Sequence, residues 1–217
     1  VVDWMLSHDL IEDRMQYQQS VRERSVMKAA HKYKVDKHHS ELVAKFALEL
    51  FDQTRGVLHN WGPLEREILW AAAMLHNCGH FVSHGAHHKH SYYLIRNGEL
   101  LGFTNAEIEL IANIARYHRK SPPKLKHDPY KALNKGNRTI VSQLSAMLRI
   151  AVGLDRRRLG AIANFQTVHD PKAGTMALNF VPTHIDDDCE LEVWSVNDKK
   201  EFFEQEFDLK LVIHEVK

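Results

Sequence analysis

The chain contains 217 residues, of which 44% are hydrophobic and 26% charged, and its formal net charge is +1. These values are ordinary for a folded globular protein and exclude a disordered or low-complexity chain. No apolar run approaches the roughly 20 residues that cross a bilayer, and the opening ten residues lack a basic leader, so we expect neither a membrane span nor a targeting signal. The two cysteines, Cys78 and Cys189, have no CxxC spacing, which favours a reducing, cytoplasmic location.

Apolar residues recur at helical spacing up to about residue 158. The segment 40–51 carries one stripe with spacings of three and four, formed by Leu42, Val43, Phe46, Leu50 and Phe51. A second helix is predicted to begin at Gly62 and Pro63, because proline suits the first turn of a helix, and to continue through residue 76.

Two further helices follow in the same half. Thr104 and Glu107 have the spacing of a capping box, which predicts a helix start. Residues 121–137 contain three prolines and a glycine and are predicted as a loop, after which helical spacing resumes over residues 138–156.

The pattern changes after residue 159. Three segments rich in β-formers are separated by turn residues and are predicted as strands, at 161–170, 175–183 and 189–197. A short helix is predicted at 198–208, and a closing strand at 209–216. The sequence therefore predicts a mainly α protein, with a helical domain over residues 1–158 and a small α+β domain over residues 159–217.

Residues 74–90 hold six of the sixteen histidines. His76, His80 and His84 are four apart and would share a helix face, but Gly79 and Gly85 make an unbroken helix doubtful. Imidazoles without carboxylates are poor ligands for magnesium or manganese. The histidine-rich stretch therefore leaves open a metal site, an anion site or a packed core.

Basic residues concentrate in the middle of the chain, where residues 116–158 contain twelve Lys or Arg and two acids. Arginine, lysine and imidazole groups can hold phosphates without a cation. The candidate groups lie at predicted helix ends and loops, namely the segments 87–90 and 118–120, Lys124, Arg149 and the arginines 156–158. The arginines 156–158 could instead cap the preceding helix at its negative end.

Several of these segments resemble one known family. AAAMLHNCGHF, HHKHSYYLIRN, ARYHRKSPPK and LRIAVGLDRRR occur in order after His39, and the chain is similar over about residues 10–160 to the HD-type C-terminal region of the exopolyphosphatase and guanosine pentaphosphate phosphohydrolase family. The resemblance implies an HD-like fold and a longer parent protein. In that family a kinase-like N-terminal half removes terminal phosphate with magnesium, and the opening ten residues would be the junction with it.

The HD metal positions are incomplete. The resemblance places the two histidines at His39 and His76, but Asn77 stands where an aspartate is expected and Val152 occupies the last aspartate position. Asp155 matches a different aspartate of the family pattern. Because hard divalent cations require carboxylates, we expect a degenerate site with no metal, no cofactor and no catalytic residue in this chain.

The anion contacts are therefore the preferred prediction. His118, Arg119 and Lys120 match a family stretch and are the first candidates, followed by His88, Lys89 and His90. The implied partners are polyphosphate or guanosine tetraphosphate-type anions and a second copy in a homodimer. We expect phosphoanhydride hydrolysis, with its magnesium, in the half that is absent from this chain.

The sequence leaves three alternative functions. An active metal-dependent HD-type phosphohydrolase could use the remaining histidines, and a purely structural dimerisation module would need no ligand. A nucleic-acid partner is disfavoured because no stacking motif or groove-reading element accompanies the basic segment.

Overall fold

The computed structural model describes residues 21–216, and the predicted junction in the opening ten residues lies outside that range. Eight helices occur in the described part of the chain: α1 (21–32), α2 (Lys37–Thr54), α3 (Pro63–Leu75), α4 (His87–Arg96), α5 (Asn105–Arg116), α6 (Asp128–Lys131), α7 (Lys135–Leu154) and α8 (Glu190–Phe207). The strands are β1 (Ile162–Asp170), β2 (Thr175–Pro182) and β3 (Lys210–Glu215). The predicted mainly α fold with a small α+β part is confirmed.

The helix starts follow the predicted signals. Pro63 opens α3, and the Glu65 carboxylate accepts a hydrogen bond of 2.9 Å from the Gly62 N–H. At the start of α5, Thr104 Oγ1 accepts from the Glu107 N–H, while the Glu107 carboxylate accepts from the Thr104 N–H. These reciprocal bonds satisfy N–H groups that a helix start would otherwise leave unpaired.

The predicted break in the histidine-rich segment is confirmed. After α3 the chain makes a short 3₁₀ helix, Cys78–Phe81, and only then begins α4. The 3₁₀ helix packs closely against the start of α4, and this contact requires glycine at position 79. A Cβ there would lie 2.0 Å from the His87 carbonyl oxygen and 2.5 Å from the Ser91 nitrogen. The close approach brings the end of α3 against the start of α4.

Residues 159–216 form a small sheet beside one long helix. β2 lies between the two other strands, antiparallel to β1 and parallel to β3, and α8 connects β2 to β3. The strands predicted at 161–170, 175–183 and 209–216 are confirmed. The predicted loop at 121–137 contains the short helix α6 and the first residues of α7.

The strand predicted at 189–197 is wrong, because this segment is the first half of α8. Its β-branched and aromatic residues favoured a strand, but the buried residues of the helix recur at helical spacings of three, four and seven: Glu192, Ser195, Val196, Phe202 and Phe203. Val196 lies against α7, where a Cβ added to Gly153 would be 3.0 Å from Val196 Cγ2. Packing on α7 therefore overrides the local preference.

One hydrophobic core serves both parts of the described chain. It includes Phe46, Leu69 and Ile111 from the helical part and Phe165 and Phe203 from the part after residue 159. The division of the chain into domains at residues 158 and 159 stays a prediction. No helix within residues 21–216 combines the length and apolar character needed to span a membrane.

Candidate functional site

A cavity of about 910 Å³ opens between the helical part and α8. Its lining contains more cationic than anionic side chains. The seven lysines and arginines are Arg119, Lys120, Lys124, Arg149, Arg156, Arg158 and Lys199, and the three carboxylates are those of Asp155, Asp198 and Glu201. Four histidines also contribute, which are His39, His80, His87 and His118. The concentration of positive charge in a concave, partly desolvated space strengthens its attraction for anions.

The four residues predicted to occupy the HD metal positions lie at or next to this cavity. His39, Asn77 and Val152 line it, and the ring of His76 lies 5.4 Å from that of His39, centroid to centroid. His76 is fully buried, and its Nδ1 donates a 2.6 Å hydrogen bond to the Ala73 carbonyl. Its Nε2 has no hydrogen-bond partner within the described residues.

Asp155 lies at the same cluster, although it does not match an HD metal position of the sequence pattern. Its Oδ2 is 2.6 Å from His39 Nδ1, and its Oδ1 accepts a 3.1 Å hydrogen bond from the Gly160 N–H. Both partners are almost fully buried, with 3% and 1% of their side-chain surfaces exposed. The carboxylate therefore orients His39 and anchors the chain after α7.

The residues at this cluster do not fit magnesium. Magnesium requires several oxygen ligands, but the carboxylate oxygens of Asp155 are already bonded to His39 and Gly160, and the other groups near His76 are imidazoles. Within residues 21–216, no group of three or more His, Cys, Asp or Glu side chains is arranged as a metal site.

Arg119 is held by a chain of two neutral imidazoles. Arg119 Nη1 lies 3.0 Å from His87 Nδ1, His87 Nε2 lies 3.3 Å from His118 Nε2, and His118 Nδ1 lies 2.7 Å from the Ala115 carbonyl oxygen. Arginine only donates and a carbonyl only accepts. Hence His118 Nδ1 carries the proton, and its Nε2 can only accept. Arg119 Nη1 also lies 3.4 Å from His87 Nε2, and His87 Nδ1 lies 3.3 Å from the His84 carbonyl oxygen. In either tautomer the neutral His87 ring therefore offers one nitrogen lone pair to Arg119.

Burial keeps these imidazoles uncharged at neutral pH. Loss of hydration lowers the pKa of His76 to about 3 and that of His87 to about 4, and it holds the pKa of His118 well below the ordinary value. Neighbouring histidines lower the three pKa values further. Arg119 is consequently oriented by a neutral group, and it forms no ion pair with a carboxylate of the described residues.

Arg149 is the second cation positioned without a countercharge. Its Nε and Nη2 each donate a 2.7 Å hydrogen bond, to the carbonyls of Tyr117 and Lys120, and the guanidinium lies 5.1 Å from the Phe202 ring centroid. Arg149 is only 7% exposed, and burial lowers its pKa to about 10. It forms no ion pair with a carboxylate of residues 21–216. Buried charges are ordinarily paired, so this guanidinium is suited to an external anion.

Other arginines of the described chain have carboxylate partners. Arg22 pairs with Glu67 and Glu107, and Arg66 pairs with Asp52. Arg119 and Arg149 differ from these in being anchored by imidazole and carbonyl groups. The two unneutralised guanidinium groups line one cavity, which is the chemistry expected of a site for anionic ligands.

The predicted anion contacts occupy different places. Arg119 and Lys120 line the cavity, and His118 lies in its wall with 2% exposure, engaged by His87 and Ala115. The second predicted group, His88, Lys89 and His90, lies on the first turns of α4 and is not part of the cavity lining.

The three consecutive arginines after α7 divide their roles. Arg157 pairs with Asp187 and with the fully buried Glu192, and Arg158 lies 3.5 Å from Asp36. Arg156 and Arg158 line the cavity. The alternative prediction that one of them caps α7 stays a prediction.

Six cavity residues on α8 were not predicted, which are Trp194, Asp198, Lys199, Glu201, Phe202 and Gln205. Lys199 and Trp194 reach the cavity from α8, and burial together with nearby Arg156 lowers the pKa of Lys199. Helical spacing of residues 194, 198, 201, 202 and 205 would have placed them on one face. This signal was missed because residues 189–197 were interpreted as a strand.

Comparison with known proteins gives a consistent result. The model of a protein family described as Ppx/GppA phosphatase, domain III, matches residues 21–200 of this chain. A guanosine-5'-triphosphate,3'-diphosphate pyrophosphatase of Pseudoalteromonas translucida is 31% identical over 142 residues, which are 64% of this chain and 27% of that protein. The protein of the same name from Aeromonas hydrophila is 30% identical over 158 residues, 72% of this chain and 31% of its own length. The chain thus spans less than a third of each relative.

Proposed function

Because the chain belongs to the Ppx/GppA phosphatase family, we propose that it is an accessory region that holds phosphate-chain anions in the cationic cavity. Polyphosphate and guanosine tetraphosphate-type molecules are the ligands of this class. The relatives are named as pyrophosphatases of a guanosine polyphosphate, which agrees with a ligand that carries several adjacent phosphates.

One observation carries the proposal: Arg119 and Arg149 are oriented by neutral acceptors and keep their full charge at the cavity. A carboxylate partner would hold either guanidinium as firmly but would cancel its charge. Neutral acceptors fix the donors in place and leave the remaining N–H groups for phosphate oxygens. Lys120, Lys124 and Lys199 add charge around the two arginines.

Hydrolysis of the phosphoanhydride bond, with release of orthophosphate, belongs in this proposal to a separate catalytic half. The relatives are more than three times as long as the matched segment. Magnesium chemistry is assigned to that half as well, since the donors at His39 and Asp155 suit no hard cation. The isolated chain is expected to bind its ligand without turnover.

The proposal is tested by isothermal titration with sodium tripolyphosphate in metal-free buffer. Arg119→Gln is expected to weaken binding about tenfold, the loss of roughly one charge-assisted contact. Arg66→Gln is the matched control, because Arg66 pairs with Asp52 on the surface outside the cavity. Added salt should weaken binding to the wild type.

A second comparison separates the two predicted anion groups. Lys89→Gln should leave the affinity unchanged if the cavity is the site, because Lys89 does not line it. Equal affinity of the wild type, Arg119→Gln and a double Arg119→Ala, Lys120→Ala variant would contradict the proposal and favour the structural dimerisation module.

The metal-dependent phosphohydrolase is retained as a second candidate because of one atom. His76 Nε2 is buried without a hydrogen-bond partner in the described chain, and a nitrogen lone pair of this kind suits zinc or nickel. Near-stoichiometric metal in the purified chain, with phosphate-ester hydrolysis that disappears in His39→Ala or His76→Ala, would support this candidate against the first.

The homodimer and the exclusion of nucleic acid as a partner stay predictions. Sedimentation velocity over a hundredfold range of concentration would measure the oligomeric state. A salt-matched titration with a single-stranded oligonucleotide would measure the competing partner.

A further inference from the structure

Trp194 is an exposed aromatic side chain at the wall of the cationic cavity. Its exposure is 57%, and it lies on the face of α8 that also presents Lys199 and Phe202 to the cavity. Large apolar side chains at the mouth of a concave site commonly mark a ligand contact.

Three other aromatic side chains have partners, whereas Trp194 has none among the described residues. The Trp61 Nε1–H donates a 2.7 Å hydrogen bond to Gln143, Trp70 packs against the core, and Phe202 is covered by the Arg149 guanidinium. No ring stacking, cation–π contact or side-chain hydrogen bond of Trp194 occurs with the described residues. An apolar ring is therefore left in water beside a site for phosphate.

A linear inorganic phosphate chain has no apolar or aromatic group that could pack against this ring. It is anionic along its whole length, and every oxygen is better solvated by water or bonded to a cation than placed against an indole face. A nucleotide has both parts, since a flat base can stack on an aromatic ring while its phosphates reach nearby cations. The cavity volume of about 910 Å³ lies within the usual range for sites of small organic ligands.

Resting on the proposed anion function, we propose that Trp194 is a specificity-determining residue whose indole stacks on the base of a nucleotide, so that the cavity selects nucleoside polyphosphates over inorganic phosphate chains. The phosphates occupy the part of the cavity lined by Arg119, Arg149 and Lys199. Stacking tolerates different bases, because each has a flat aromatic face.

The test compares adenosine 5'-triphosphate with sodium tripolyphosphate, two ligands with the same number of phosphates, by isothermal titration in metal-free buffer. The wild type is expected to bind the nucleotide at least about tenfold more tightly. Trp194→Leu should remove that preference and leave tripolyphosphate affinity unchanged, whereas Trp194→Phe should retain most of it. Quenching of tryptophan fluorescence by the nucleotide should disappear in Trp194→Phe, which keeps the other three tryptophans of the sequence, Trp4, Trp61 and Trp70.

The possible failures are distinguishable. If neither ligand binds, the proposed anion function itself is overturned. If tripolyphosphate binds and the nucleotide gains nothing, or if Trp194→Leu weakens both ligands equally, the stacking role alone is overturned. A fluorescence change that follows protein concentration instead of nucleotide would assign Trp194 to a contact between copies of the chain and would also overturn the proposal.

Discussion

Replacing His76 with glutamine should reduce the acid sensitivity of the fold. The His76 ring is fully buried, and its pKa of about 3 lies far below the ordinary 6.5. Between these values the unfolded chain binds a proton that the folded chain excludes, so stability is intact above pH 6.5 and falls as the pH drops below it.

The size of the effect follows from the separation of the two pKa values. At pH 5.0 the unfolded histidine is almost fully protonated while folded His76 is still neutral. The interval from pH 6.5 to 5.0 then costs about 2 kcal/mol, at about 1.4 kcal/mol per pH unit. The wild type should lose about this much more stability than His76→Gln between pH 7.5 and pH 5.0.

Urea denaturation followed by circular dichroism at the two pH values measures this difference. Comparing each protein with itself removes any change in absolute stability caused by the lost hydrogen bond to Ala73. His31→Gln is the matched control, since His31 is an exposed histidine on α1, and it should lose as much stability as the wild type. An equal loss in His76→Gln would refute the argument that burial of a neutral imidazole creates the pH dependence.

Two further changes test the packing around the cavity. Gly79→Ala should destabilise the protein by at least about 2 kcal/mol, because the added methyl group would lie 2.0 Å from the His87 carbonyl oxygen; a melting temperature within a degree of the wild type would contradict this. Arg157→Met should cost about 3–5 kcal/mol, because the fully buried Glu192 carboxylate would lose its guanidinium partner and keep only the N–H of residue 157. The loss is measured as a shift in the urea midpoint, with Arg66→Met at an exposed pair as the mild control.

The helical half could be predicted because its signals are local. Proline at position 63 and the Thr104–Glu107 pair act within one helical turn, so their effect does not depend on distant residues. Family membership was also predicted from the sequence and is confirmed by the match over residues 21–200. The first half of α8 was missed, because its helix is stabilised by packing on α7 at Gly153, which is remote in sequence.

The candidate site was predicted in part. Arg119, Lys120, Lys124 and Arg149 were recognised as candidate cations from the sequence, and all four line the cavity. Whether each cation is available to bind an anion depends on the groups that hold its side chain. No sequence pattern identifies those groups. His87 bonds to Arg119 across 32 positions, and Asp155 reaches His39 across 116. Only the fold brings these partners together.

The position of α8 has a consequence for how this region can vary. The cavity has one wall from helices that precede residue 159 and the other from α8, whose two ends connect to β2 and β3. A chain cut after residue 158 would keep both guanidinium groups but expose them to bulk solvent, where screening would dissipate their field. Under the proposed function, ligand affinity would depend on both parts, and neither could be exchanged with that of a relative unless its counterpart changed too.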